Sequence, residues 1–137
     1  MAKILILDDD VEIRTLMVLI LEREGYQLAY TDNSQESVKL LWNASFNLLI
    51  MDGALLDTDW WGFYSSIKTD PDLCNIAIIV LLPKFMLAEE GVNQFFFQEV
   101  QYNKDGLLTS PWRKEDLVET VKKVLGNYGT ALPIVDR

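Results

Sequence analysis

Histidine is absent from these 137 residues. With it go every His-based catalytic triad, most zinc sites and any phosphohistidine carried by the chain itself. Whatever chemistry the chain performs therefore falls to its carboxylates. Cysteine is nearly absent too: Cys74 is the only one, so no internal disulfide can form. Positive charge is short, with 12 Lys and Arg against 21 Asp and Glu, and the resulting −9 repels a phosphate backbone and argues against direct nucleic-acid binding. No apolar run approaches the ~20 residues of a membrane span. The longest, Ile76 to Pro83, has the length of a buried strand. The opening MAKILIL carries no long apolar stretch behind a basic one, so a reducing cytoplasm away from the membrane is the expectation.

What remains is an ordinary globular composition, 50% hydrophobic and 24% charged, in a chain of about one domain's length. Ile4 to Leu7 is a short continuous apolar run, as a parallel strand buried on both faces requires, and it ends in Asp8, Asp9 and Asp10. From there Ile13, Leu16, Met17, Ile20 and Leu21 recur at helical spacing, with Asp10 as N-cap and Gly25 as the stop. The unit repeats. Tyr26 to Tyr30 reads as a strand, followed by a helix capped by Ser34 with Val38, Leu41 and Trp42. Leu48 to Met51 is a strand ending in Asp52, and Trp60, Phe63, Tyr64 and Ile67 mark the next helix. Ile76 to Leu82 is a fourth strand, followed by a helix from about Leu87 to Val100. Gly106 to Thr109 is a fifth strand, and Leu117 to Leu125 a last helix stopped at Gly126. This alternation specifies a three-layer α/β sandwich with a parallel sheet. Residues 1–126 form the expected domain, and 127–137 a tail or the start of a linker.

Ligands of such sheets gather outside the carboxyl ends of the strands. Asp8 and Asp9 follow the first strand and Asp52 the third. Any one of them could be a cap or a solvated turn residue. If the strands are neighbours, three carboxylates converge, and Mg²⁺ is the natural occupant because it prefers hard oxygens. Asp10 reads as a cap, and Asp57 and Asp59 as a solvated loop. A flavodoxin-like cofactor binder would share the topology, but it would need a phosphate loop where Asp8 to Asp10 instead repel a phosphate.

LILDDD at Leu5 to Asp10, LLIMD at Leu48 to Asp52 and SPW at Ser110 to Trp112 together resemble the response-regulator receiver family of two-component signalling, from Lys3 to about Leu125. The resemblance implies a flavodoxin-like (βα)5 sandwich with strand order 2-1-3-4-5 and a cis Ser110-Pro111 bond. It also implies Mg²⁺ held by Asp8, Asp9, Asp52 and the backbone carbonyl of Ala54, and Asp52 as acceptor of a phosphoryl group from the histidine of a partner sensor kinase.

Several departures from the family pattern bear on that activity. Leu82 stands where the family has a hydroxyl residue, and Pro83, without an N–H, removes a second phosphoryl donor. Ser110 replaces the family lysine, and Leu107 the aromatic switch residue. An element without differential contact to phosphate cannot be shifted by it. The expectation is a degenerate receiver acting through protein–protein contacts, with weak Mg²⁺ binding and no enzymatic role. The alternative is a working phosphoacceptor that catalyses its own phosphorylation and dephosphorylation at Asp52. The stretch from Leu82 to Ser110 is longer than receivers usually have, and it contains Phe95, Phe96 and Phe97. Successive helical residues point ~100° apart, so three in a row either enlarge the core or leave an apolar patch. With Trp112 these residues make a candidate partner or homodimer face along the fourth and fifth helices. Of Trp60 and Trp61, one is expected to pack inward and the other to lie over the loop after Asp52. Cys74 reads as an inert filler.

Overall fold

In the computed structural model, which describes residues 2–55, 59–87 and 92–130, a single parallel sheet runs through the middle of the molecule. Its strands β1 (Lys3–Leu7), β2 (Gln27–Thr31), β3 (Leu48–Asp52), β4 (Ala77–Pro83) and β5 (Gly106–Ser110) lie in the order β2-β1-β3-β4-β5. The helices are α1 (Val11–Arg23), α2 (Ser34–Asn43), α3 (Trp60–Thr69), α4 (Val92–Tyr102) and α5 (Lys114–Asn127). Side chains alternate across the pleat. Ile4, Ile6, Leu48, Ile50, Ala77 and Ile79 pack under α1 and α5, whereas Leu5, Leu7, Leu49, Met51, Ile78 and Val80 pack under α2, α3 and α4. Central strands buried on both faces explain their unbroken apolar runs. Among the described residues no helix is long and apolar enough to cross a membrane. The Ser110-Pro111 bond is cis, as the resemblance implied.

Local signals set most boundaries. Asp10 caps α1, its Oδ1 accepting from the N–H groups of Glu12 and Ile13 at 3.0 and 3.2 Å, and Gly25 ends the helix with φ 93°. Four expectations need correction. Asn33, not Ser34, caps α2, because its extended backbone aims Oδ1 at the Glu36 N–H, 2.7 Å away. The fourth helix starts at Val92 rather than Leu87. Lys84–Leu87 forms one 3₁₀ turn, and Gly91, a poor helix former, stands just before Val92. The fifth helix does not stop at Gly126: it continues to Asn127, Tyr128 closes it, and Gly129 takes the left-handed conformation with φ 71°. The rest of the expected tail, 131–137, lies outside the described residues, as does Asp57. Finally, Ile13 and Leu16 do not face the core, which takes Met17, Ile20 and Leu21 from α1.

Candidate functional site

The register of β1 on β3 sets Leu7 beside Met51, so Asp8 and Asp52 sit at one level where the two strands end. Asp9 joins them, and one carboxylate oxygen from each of the three lies within 4.8 Å of the others. Asp8 is 2% exposed, Asp52 is half-buried and Asp9 is exposed. The Asp8 carboxylate accepts from the Asp10 N–H at 2.9 Å, and Asp52 from the Ala54 N–H at 2.9 Å. Burial, opposed by the Asp10 N–H bond and reinforced by the charge of Asp52, pushes Asp8 up to about 7. Burial raises Asp52 as well, although the Ala54 N–H and a hydrogen bond from Asp8 hold it down. Asp8 is therefore the partner that keeps the shared proton.

Among the described residues no lysine or arginine forms an ion pair with these carboxylates. Arg14 comes close, but its Nη1 donates to the backbone carbonyl of Asp8 at 3.1 Å while its guanidinium lies over Tyr30. Three hard oxygen donors with uncompensated charge fit a divalent cation of the Mg²⁺ type. The remaining donor inventory is sparse.

A cleft of about 230 Å³ opens over the cluster, walled by Ile13, Leu81, Leu82, Pro83, Ser110 and Trp112. Leu82 is 3% exposed and belongs to the α2–α4 side of the core. Its Cδ2 occupies the space that a Cβ on Gly53 would need, while the Gly53 N–H donates to the Leu81 carbonyl at 2.7 Å. Where a hydroxyl could have faced Asp52 there is packed hydrocarbon. Pro83 pairs with Ser110 in register, so position 83 brings no N–H and position 110 no cation to that corner. A larger cleft, about 560 Å³, lies between the end of α2 and Tyr128 and, among the described residues, brings only one carboxylate, Asp72.

The aromatic residues do not form one surface. Trp60 is buried and Trp61 half-buried, its ring stacked on Tyr64 and 4.5 Å from that of Phe96. Phe96 thus ties α4 to α3, 5.2 Å from the Trp60 ring, while Phe95 at the rim is 52% exposed. Phe97 lines a separate cavity with Leu107, Thr120 and Lys123 between α4 and α5. Trp112 packs on the α1/α5 side of the core and forms a wall of the acidic cleft. Asp59 caps α3, accepting from the Gly62 N–H at 3.2 Å. Cys74 is a half-buried free thiol.

Sequence reasoning missed a buried polar cluster, Tyr64, Lys68, Asp105 and Tyr128, at the other edge of the sheet. Its aspartate sits in Asn103-Lys104-Asp105-Gly106, which reads as a plain turn.

Residues 4–122 match the family model described as the response regulator receiver domain. The chain is similar to the phosphate regulon transcriptional regulatory protein PhoB of Pseudomonas aeruginosa, 27% identical over 92% of this chain and 52% of that protein. It is also similar to the transcriptional regulatory protein ResD of Bacillus subtilis, 26% identical over 90% of this chain and 48% of the relative. The chain spans about half the length of these curated relatives. Among solved structures, the signal receiver domain of a signal transduction histidine kinase from Syntrophus aciditrophicus aligns with TM-score 0.78 and 25% identity, over 98% of this chain and 97% of that one. The chemotaxis response regulator CheY4 of Vibrio cholerae shares the fold, with TM-score 0.74 and 23% identity over 90% of this chain and 98% of the other.

Proposed function

The chain belongs to the response-regulator receiver family of two-component signalling, and from that premise we propose that it is a degenerate receiver whose output is set by protein contacts more than by phosphate. The observation that carries this reading is Leu82 packed over Gly53 beside Asp52. An aspartyl phosphate would need donors for its oxygens, and the three family anchors are replaced by Leu82, Pro83 and Ser110. Neutral hydrogen bonds contribute ~1 kcal/mol each and charge-assisted ones about twice that, so several powers of ten in rate are forgone.

Mg²⁺ binds weakly through Asp8, Asp9, Asp52 and the backbone carbonyl of Ala54, because few of its ligands are protein groups. The chain acts in the cytoplasm as a signalling module, not an enzyme. It takes a sensor histidine kinase or another signalling protein as partner and does not touch nucleic acid itself, in keeping with its net charge of −9. The apolar residues of α4, Phe95 foremost, provide the contact face, which also serves a homodimer along α4 and α5. The second reading, a working phosphoacceptor at Asp52, is favoured by one observation: all three acids are present and within 4.8 Å of one another.

The two readings separate on treatment with beryllofluoride, a mimic of the acyl phosphate, in the presence of Mg²⁺. A degenerate receiver shows no change in sedimentation and none in amide exchange along α4 and β5. A shift in either restores the working phosphoacceptor.

A further inference from the structure

The end of α5 and the turn between α4 and β5 are joined by a buried polar knot, far from the acidic cleft. Asp105 is 7% exposed, and its carboxylate accepts four hydrogen bonds. They come from the Tyr64 hydroxyl at 2.7 Å, Lys68 Nζ at 2.9 Å, the Tyr128 hydroxyl at 2.6 Å and the Ile78 N–H at 2.9 Å. Lys68 uses its other protons on the Ile76 carbonyl at 2.6 Å and the Tyr128 hydroxyl at 2.8 Å. Every strong acceptor position of the carboxylate and every proton of the ammonium is taken.

From α5 the knot holds two residues of the turn by hydrogen bonds, Lys104 and Asp105, and touches a third, Asn103. The Tyr128 hydroxyl lies 2.9 Å from the Asn103 carbonyl, Asn127 Nδ2 donates to the Lys104 carbonyl at 3.3 Å, and Asp105 takes the bond already described. Tyr128 has one proton, and the shorter contact, to the carboxylate, is where a charge-assisted bond holds it. The turn is also conformationally unusual. Lys104 has φ 64°, a left-handed conformation that a residue with a Cβ keeps only when its surroundings hold it there.

We propose that this knot makes the α4–β5 turn and the end of α5 one mechanical body, so that a displacement of Asn103 to Asp105 carries Tyr128 with it. Parting the two would leave the buried Asp105 carboxylate without the Tyr128 donor and the Lys104 carbonyl without Asn127, and stranding a buried acceptor costs more than moving the joint intact. The coupling is reciprocal, because it is a property of the joint and of neither side alone. It does not depend on Mg²⁺ or on phosphate at Asp52.

The test is amide hydrogen exchange on the full chain. In the wild type the N–H groups of Tyr128, Gly129 and Thr130, bonded to the carbonyls of Leu125, Gly126 and Leu125, are protected. Tyr128→Phe removes the hydroxyl and keeps the ring; exchange should rise about tenfold or more at 103–105 and at Ile78, as local opening becomes easier. Asn103→Ala, which keeps the backbone and removes the amide that donates to the Tyr64 hydroxyl at 3.0 Å, should raise exchange at 128–130 in the same way. In both variants the N–H groups of Gly53, Ala54 and Leu55 stay as they were. Unprotected amides at 128–130 in the wild type, changes confined to the mutated element, or a uniform rise that includes 53–55 would each overturn the proposal.

Discussion

The side chain of Leu82 lies over Gly53, filling the volume a Cβ at position 53 would take. The two residues are therefore complementary, and their contact packs hydrocarbon into the corner beside Asp52. Gly53→Ala should destabilise the fold by ~1–3 kcal/mol through overpacking. Leu82→Ala in the same chain should recover part of that loss, since the Cδ2 contact disappears while the Leu81 carbonyl, 3.0 Å from the added Cβ, remains. Urea unfolding of the two single variants and the double variant measures the coupling.

Asp8 predicts a pH dependence with a definite sign. Its folded-state value is raised from 3.8 to about 7, so the native state binds a proton that the unfolded chain releases. Its contribution to stability is fully present below about pH 4 and is lost as pH rises to about 7. At ~1.4 kcal/mol per unit the loss is at most ~4 kcal/mol. Asp8→Asn should flatten that part of the stability curve and leave the protein more stable above pH 7. Thermal unfolding between pH 4 and 8 without divalent ions provides the comparison.

Divalent-cation binding has a built-in reporter. Trp112 walls the acidic cleft, whereas Trp60 and Trp61 are engaged with Tyr64 and Phe96 on the other face of the sheet. Titration with Mg²⁺ or Mn²⁺ should change tryptophan emission, and either Trp112→Phe or Asp52→Asn should abolish the change. A response that survives Trp112→Phe would mean that the cation is sensed elsewhere.

The position of Trp112 shows what the sequence could and could not disclose. Strands were legible because burial on both faces demands unbroken apolar runs, and Asp8 and Asp52 because they end two of those runs. The faces of helices were harder to assign. α1 is apolar nearly all round, with Val11, Ile13, Leu16 and Leu19 exposed, so periodicity cannot say which side is the core. Phe95 to Phe97 posed the same problem, and only packing shows that Phe96 turns to the tryptophans. The end of α5 was misread because Gly126 looked like a stop, whereas Tyr128 is held by Lys68 and Asp105 from distant parts of the chain. No local pattern encodes such a contact.

The aromatic cluster separates stability from association. Phe96→Ala should cost ~3–5 kcal/mol, because the ring packs on both Trp60 and Trp61. Phe95→Ser, at the exposed rim, should cost less than ~1 kcal/mol and yet weaken self-association or partner binding. Asp52→Asn should leave association intact. Sedimentation equilibrium and denaturant titration on the same three variants distinguish the roles.

The degenerate reading rests on Asp52 lacking the groups that would hold a phosphoryl, and the most direct measurement is the intact mass of the protein after incubation with Mg²⁺ and acetyl phosphate. The wild type should stay essentially unlabelled. A Leu82→Thr/Ser110→Lys variant, which returns a hydroxyl and a cation to the cleft, should be labelled at least tenfold faster, since a single such contact of ~1.4 kcal/mol is a factor of ten. Rapid stoichiometric addition of one phosphoryl group to wild-type Asp52 would contradict the account.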